Sequence, residues 1–423
     1  MQETLFKSRT AIILWLALTT FFAFQFILRL AAGILREDIM RKFSIDTASF
    51  GQLAGFYYLA YSGMQIPIGY LLDRYNIKYI SFLSILITAL GAFIFGIAEN
   101  WTMLLIGRSL IGMGSAAGFL SVAKASTAYF PEKYKAFLIG LAFTFGLIGA
   151  VTGGIPTKTL FDYFGIKEGL IILGCICLVL GFIILMVKTD HLTEYKAAKT
   201  ASFSDILALL VNPVVLFAGV CGGLMVGALE GFADVWSLAY FNQIYRFSEE
   251  NSIQAAFVLY IGMCVGGPLL AYLAEKLKSE VVVIFGCGLL VSVIFMILFV
   301  VHEPSIYFIS SLMFILGITC CYQVLVFTTV SNLVPKESAA VAIAIVNCIN
   351  MSFGYFFHTI VSLLIHYDWS GAMNSEYVPV YDISDFMAGL RAIPILNMVG
   401  AFGFLLLSSK LKNEGFLRNQ IKQ

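Results

Sequence analysis

Arg29 stands well inside the apolar run 11–35, with Gln25 one helical turn before it on the same face. A charge at the centre of a bilayer costs about 2.5–3.5 kcal/mol even on the lenient insertion scale, so Arg29 needs a partner, water or a ligand. Its planar guanidinium suits an anion clamp that takes a carboxylate or phosphate through two parallel hydrogen bonds; the alternative is a fixed ion pair closing a helix interface. Glu230 and Asp234 lie one turn apart in another apolar run. Two neighbouring carboxylates in a span repel, which suits a site that takes up and releases a proton. Asp234 reads equally as a cap at the outer water interface, beside Trp236 and Tyr240; Glu230, a turn deeper, is the better proton or amine site. Arg108, near the outer start of its run, has Gly112 and Ser115 continuing its face. It either orients substrate or snorkels to the outer headgroups. Asn347, Asn350, Gly354 and His358 recur at spacings of three, four and four, a polar stripe that lines a cavity or a helix contact. Tyr322 and Gln323 add polarity and favour the cavity.

The elements that hold these residues follow from composition. Of 423 residues, 60% are hydrophobic and 12% charged, against about 25% charged in soluble domains. Mean hydropathy is +0.91. A membrane-crossing helix needs about 20 mostly apolar residues, and twelve runs qualify, near 11–35, 50–70, 79–98, 102–122, 136–157, 169–187, 213–240, 254–273, 281–301, 305–330, 339–366 and 388–408. Backbone groups in lipid must bond internally and the runs lack the ten-residue alternation of a barrel, so they are helices. The expected fold is an all-α integral membrane protein. No cleavable signal is expected, because Met1–Thr10 leads straight into a run long enough to span. An even number of spans puts both termini on one side. Lysines and arginines gather there (Arg74, Lys78, Lys133, Lys188, Lys196, Lys199, Lys276, Lys410), which marks that side as cytoplasmic in an inner membrane.

The longest charged gap, 188–212, divides the chain into an N-terminal bundle (1–187) and a C-terminal bundle (213–423). The gap itself carries Phe203-Ser204-Asp205-Ile206-Leu207, which reads as a short amphipathic surface helix. The bundles are related. Gly69–Lys78 aligns with 271–278, setting Asp73 on Glu275 and Arg74 on Lys276, 202 residues later; Pro131 aligns with Pro335, 204 residues later.

The segment Gly69-Tyr70-Leu71-Leu72-Asp73-Arg74-Tyr75-Asn76-Ile77-Lys78 resembles the loop between helices 2 and 3 of the major facilitator superfamily of secondary transporters. Leu105–Gly114, with Arg108 ahead of a glycine-rich face, looks like that family's fourth-helix motif. The resemblance covers nearly the whole chain. It implies twelve helices in two pseudo-symmetric bundles rocking around a midplane site, a cytoplasmic gate at Gly69, Asp73, Arg74 and Lys78, and a charge relay at Arg108. First-helix arginines also occur in organophosphate and anion carriers of the family. Two departures stand out. Asn76 replaces a frequent glycine, and the fifth run carries Gly140, Gly149, Gly153 and Gly154 without the proline of the antiporter signature, since Pro156 comes two residues late.

These readings converge on a carrier for a small anionic or zwitterionic metabolite, an amino acid, short peptide, organic acid or sugar phosphate, driven by protons or exchange. Gln25, Arg29, Arg108, Glu230, Gln323, Asn347 and Asn350 would bind substrate; Glu230 and Asp234 would carry protons. The alternatives are an efflux carrier for drugs or siderophores, a non-transporting sensor, or a channel. Enzymatic motifs and metal-spaced His/Cys sets are lacking, so no enzyme, metal or cofactor is expected. The eight cysteines lie within apolar runs and read as small hydrophobes. Net charge +1 gives no nucleic-acid footprint. The partners expected are a small solute, protons and the bilayer, with the chain acting as a monomer.

Overall fold

A chain surrounded by hydrocarbon has no water to satisfy its peptide groups, and a computed structural model of the protein is accordingly built of helices. It describes residues 2–189, 203–335, 338–373 and 379–413. Lys196, Lys199 and the start of the expected linker lie outside them. Among the described residues the one β-type pairing is the isolated bridge between Met373 and Pro379.

Two compact units form: Met1–Thr200 with Gly371–Val380, and Ala201–Ser370 with Tyr381–Gln423. The first contains Arg9–Ile34, Thr47–Arg74, Ile77–Gly96, Trp101–Tyr129, Lys133–Thr152 and Ile166–Met186, the first to sixth helices. The second contains Pro213–Gln243, Glu249–Leu277, Glu280–Val300, Ile306–Ser331, Val341–Asp368 and Ile383–Ser409, the seventh to twelfth. Eleven of these are long and apolar enough to cross a membrane. The exception is the second helix. Its 28 residues reach about 42 Å at 1.5 Å per residue, but Tyr57, Tyr58, Tyr61 and Gln65 lower its hydropathy and are buried. Large side chains such as Leu83, Leu86 and Leu90 of the third helix are exposed and belong to the lipid-facing surface.

The duplication runs deeper than the loop motif. Thr47–Arg74 and Glu249–Leu277 begin 202 residues apart, and Ile77–Gly96 and Glu280–Val300 begin 203 apart. The fourth and tenth helices each open with a 15-residue segment, Trp101–Ser115 and Ile306–Cys320, and both break at the next residue, Ala116 or Cys321. Close backbone packing repeats as well. A Cβ on Gly112 would collide with the Tyr57 carbonyl, and one on Gly317, 205 residues on, with the Leu259 carbonyl. Small residues allow such backbone approach where no hydrophobic force drives helices together.

Glycines in the fifth helix serve the same end. Gly149 lies against the Ala23 carbonyl and Gly153 against Leu30 and Ile27 of the first helix, whereas Gly140 faces open space. Pro156 is explained by position: the fifth helix ends at Thr152, and a separate helix, Ile155–Phe164, starts with that proline in its first turn. In the second unit the glycines sit on the seventh helix instead, with Gly219, Gly223 and Gly227 against Ile349, Phe353 and Phe357 of the eleventh. Phe203–Leu210 forms a short helix ahead of the seventh.

Candidate functional site

In the first unit the polar groups converge on the first helix. Arg29 is 8% exposed. The Phe26 and Tyr58 rings flank its guanidinium, with centroids 5.4 and 5.0 Å away. Such aromatic contacts stabilise a desolvated cation by about 2 kcal/mol or more. Gln25, one turn earlier, is also buried, and its Oε1 accepts a 2.7 Å hydrogen bond from the Tyr57 hydroxyl. Tyr57 stacks on Tyr61 and meets Tyr58 edge-on, so a cluster of second-helix tyrosines sets the orientation of both first-helix groups.

Arg108 does not snorkel. It is 2% exposed. Its two terminal nitrogens donate to the carbonyls of Leu28 and Arg29 at 2.9 and 2.8 Å, and the Tyr57 ring lies 4.8 Å from its guanidinium carbon. The fourth-helix arginine thereby pins the backbone that carries Arg29. Lysine cannot reproduce that fork. Arg108→Lys is therefore expected to cost about 1.5–3 kcal/mol, the range for one hydrogen bond to a charged group. The loss should appear as a lower melting temperature of the purified protein even without solute; an unchanged melting temperature would show that the fork does not matter to the fold.

The seventh helix holds the main surprise of the second unit. Pro213–Met225 is α-helical, but Gly227–Trp236 is a π-helix of 10 residues, after which Ser237–Gln243 returns to α. Such wide turns are rare and are found mostly at functional sites. Glu230 and Asp234 both lie within it, 1% and 4% exposed. Asp234 accepts a 2.6 Å hydrogen bond from the Tyr260 hydroxyl of the eighth helix, so its reading as a water-exposed cap is overturned. Glu230 lies within electrostatic range of Cys320 and Tyr322 in the tenth helix.

The repeat explains the pattern. Gln25 and Arg29 correspond to Glu230 and Asp234, 205 residues later, and Tyr58 corresponds to Tyr260, 202 residues later. The same tyrosine position offers a ring face to a cation in one unit and a hydroxyl to an anion in the other. These tyrosines escaped the reading of the sequence, although the offset between the motif copies pointed to them.

The eleventh-helix stripe is mostly internal. Asn350, Gly354 and His358 are buried and Asn347 is half-buried. The Asn350 carboxamide, 0% exposed, has no hydrogen-bond partner among the described residues and lies where a Cβ on Gly222 would approach its Oδ1 to 3.0 Å. Nearby, the Tyr322 hydroxyl donates to the Gly222 carbonyl at 2.9 Å, and Gln323 beside it is half-buried.

At the Gly69–Lys78 segment, Asp73 pairs with Lys124 of the fourth helix at 2.6 Å. Arg74 lies over the Tyr70 ring at 4.1 Å, and Lys78 donates to the Val187 carbonyl at 3.3 Å. The Asn76 side chain accepts from the Lys78 N–H at 3.0 Å, capping the third helix, and donates to Thr189. A cap explains why asparagine serves where the family often has glycine. Among the described residues no group of three His, Cys, Asp or Glu side chains is placed to hold a metal.

The fold is similar to that of a bacterial homologue of the human lysosomal transporter Spinster, with a TM-score of 0.73 at 17% identity over 93% of this chain and 96% of that one. In sequence, the chain is 24% identical over 148 residues to a probable sulfoacetate transporter of Cupriavidus necator, 35% of this chain and 34% of that protein. It is also 19% identical over 306 residues to a probable hexose phosphate transport protein of Chlamydia trachomatis serovar D, 64% of this chain and 67% of that protein. The chain thus spans about a third of the first of these relatives. A family model described as Major Facilitator Superfamily matches residues 14–359. It covers most of the chain, in agreement with the helices and the fold, and the protein belongs to the Major Facilitator Superfamily of multi-pass membrane transporters.

Proposed function

We propose that the protein is a secondary active transporter that moves a small anionic or zwitterionic metabolite by alternating access, coupled to protons or to exchange. The observation that carries this reading is Arg29: a buried guanidinium within a membrane span, flanked by Phe26 and Tyr58, with the Gln25 amide one turn away. Intramembrane charge of this kind is a functional site by default. Glu230 and Asp234 are the proton-carrying pair, and Gln323, Asn347 and Asn350 supply neutral contacts to solute. Arg108 acts through Arg29 by fixing its backbone. Gly69, Asp73, Arg74 and Lys78 form the cytoplasmic gate. The relatives named for sulfoacetate and hexose phosphate are consistent with an anionic solute.

Uptake into proteoliposomes of a panel of labelled carboxylates, amino acids and sugar phosphates tests the proposal. Saturable uptake of at least one anion or zwitterion is expected; uptake confined to lipophilic cations would contradict it.

Both termini lie in the cytoplasm of an inner membrane in this reading. With the exposed Cys175 replaced by serine, Asn100→Cys and Asp162→Cys should react with an impermeant thiol reagent outside intact cells, and Asn76→Cys should not. Labelling of Asn76→Cys from outside would reverse the orientation.

A further inference from the structure

We infer that Gln25 meets the solute as a hydrogen-bond donor, its carboxamide oriented by Tyr57 as a positioning residue. The solute atom beside Gln25 is then an acceptor, a carboxylate, sulfonate, phosphate or carbonyl oxygen, and not an ammonium. This deepens the proposed function and rests on its assignment of Gln25 to solute binding. Both residues belong to the first unit. A carboxamide is nearly symmetric in shape, but its two ends offer opposite chemistry, two N–H donors or an accepting oxygen. What lies next to it decides which end a solute meets. At Gln25 the oxygen is taken: Oε1 accepts a 2.7 Å hydrogen bond from the Tyr57 hydroxyl, and both side chains are buried.

The direction of that bond follows from its surroundings. Arg29 and Arg108 lie within electrostatic range of Tyr57, and a guanidinium donates but cannot accept. Ser115, also near Tyr57, has no hydrogen-bond partner for its Oγ among the described residues. The tyrosine hydrogen therefore goes to the amide oxygen. The rest of Tyr57 is fixed as well: its ring stacks on Tyr61, meets Tyr58 edge-on and lies 4.8 Å from the Arg108 guanidinium carbon. The Gln25 stem is backed by the fourth helix, where a Cβ on Gly118 would come within 3.5 Å of its Cγ. Turning the amide over would oblige the tyrosine hydrogen to leave its acceptor, and an unmet donor is costly away from water. Among the described residues Gln25 makes no other hydrogen bond, so its N–H groups are kept for a partner. An anionic oxygen suits them best, because a hydrogen bond to a charged acceptor is about twice as strong as a neutral one. An ammonium there would set donors against donors.

The test measures thermal stabilisation of the purified full-length protein in detergent, at pH 8.5 and constant ionic strength, by benzoate, phenylpyruvate, 2-oxoglutarate and glucose 6-phosphate. The anion that binds the wild type most tightly is then titrated on Gln25→Met, Gln25→Glu, Tyr57→Phe and the double variant Tyr57→Phe with Gln25→Met. Gln25→Met deletes the donor and should weaken binding at least about tenfold. Gln25→Glu makes the position an acceptor and should weaken binding further, by about 100-fold or more. Tyr57→Phe keeps the ring but frees the amide. It should cost about three- to tenfold, and in its background Gln25→Met should cost no more than about threefold. A purely structural Tyr57 would instead lower the melting temperature and leave the two losses additive, which overturns the positioning role. Binding to Gln25→Glu as tight as to the wild type overturns the donor assignment. Gln25→Met without effect, while Arg29→Lys still weakens the anion, overturns the inference and leaves anion recognition standing. Stabilisation by none of the four anions overturns both.

Discussion

Arg29→Lys is expected to weaken binding of the transported anion by about 10- to 100-fold, the loss of one charge-assisted hydrogen bond. The charge survives the substitution, but the planar fork and its contacts with Phe26 and Tyr58 do not. Arg29→Met should abolish saturable transport altogether. Solute competition measured on detergent-purified variants separates the two effects, and their melting temperatures separate binding from folding. If Arg29 only fills a helix interface, Arg29→Lys will leave affinity intact while lowering the melting temperature.

The second large effect is expected at Glu230. Glu230 is 1% exposed, inside a π-helix and one turn from another acid, and in the proposed reading it is the group that loads and releases a proton. Glu230→Gln resembles the protonated side chain permanently. It should eliminate accumulation driven by an inward proton gradient while sparing exchange of internal for external solute. Asp234→Asn should impair transport as well, because Asp234 is buried and holds the Tyr260 hydroxyl rather than facing water. Accumulation that persists undiminished in Glu230→Gln, and still collapses with a protonophore, would move the proton to another group and remove Glu230 from the coupling step.

Much of this architecture is legible in the chain because the membrane leaves few options. A run of about 20 apolar residues can only cross as a helix, so the spans follow from hydropathy. Arg29, Arg108, Glu230 and Asp234 stand out against it for the same reason. Family membership could be read from Gly69–Lys78, whose charges are tolerable only at a membrane surface. What hydropathy does not encode is where a side chain ends. Arg108 lies near the start of its helix, so its reach to the Leu28 and Arg29 carbonyls depends on how closely two helices approach. The Asp73–Lys124 pair joins residues 51 apart in sequence and was likewise hidden. The π-helix at Gly227–Trp236 changes the register of backbone hydrogen bonds while leaving the apolar pattern untouched. Tyr58 and Tyr260 were within reach of the sequence, since the repeat that pairs Asp73 with Glu275 also pairs them. Their roles were not, because one uses its ring and the other its hydroxyl.

In the proposed reading Arg29 recognises the anion in a carrier that exchanges solute across the membrane. Counterflow tests it most directly: proteoliposomes are preloaded with an unlabelled carboxylate that stabilises the protein, then diluted into trace labelled carboxylate. The wild-type protein is predicted to give a transient overshoot of internal label that saturates with external concentration, and Arg29→Met to give none. An overshoot of equal size in Arg29→Met would remove Arg29 from anion recognition, and influx that rises linearly without saturation in the wild type would rule out a carrier.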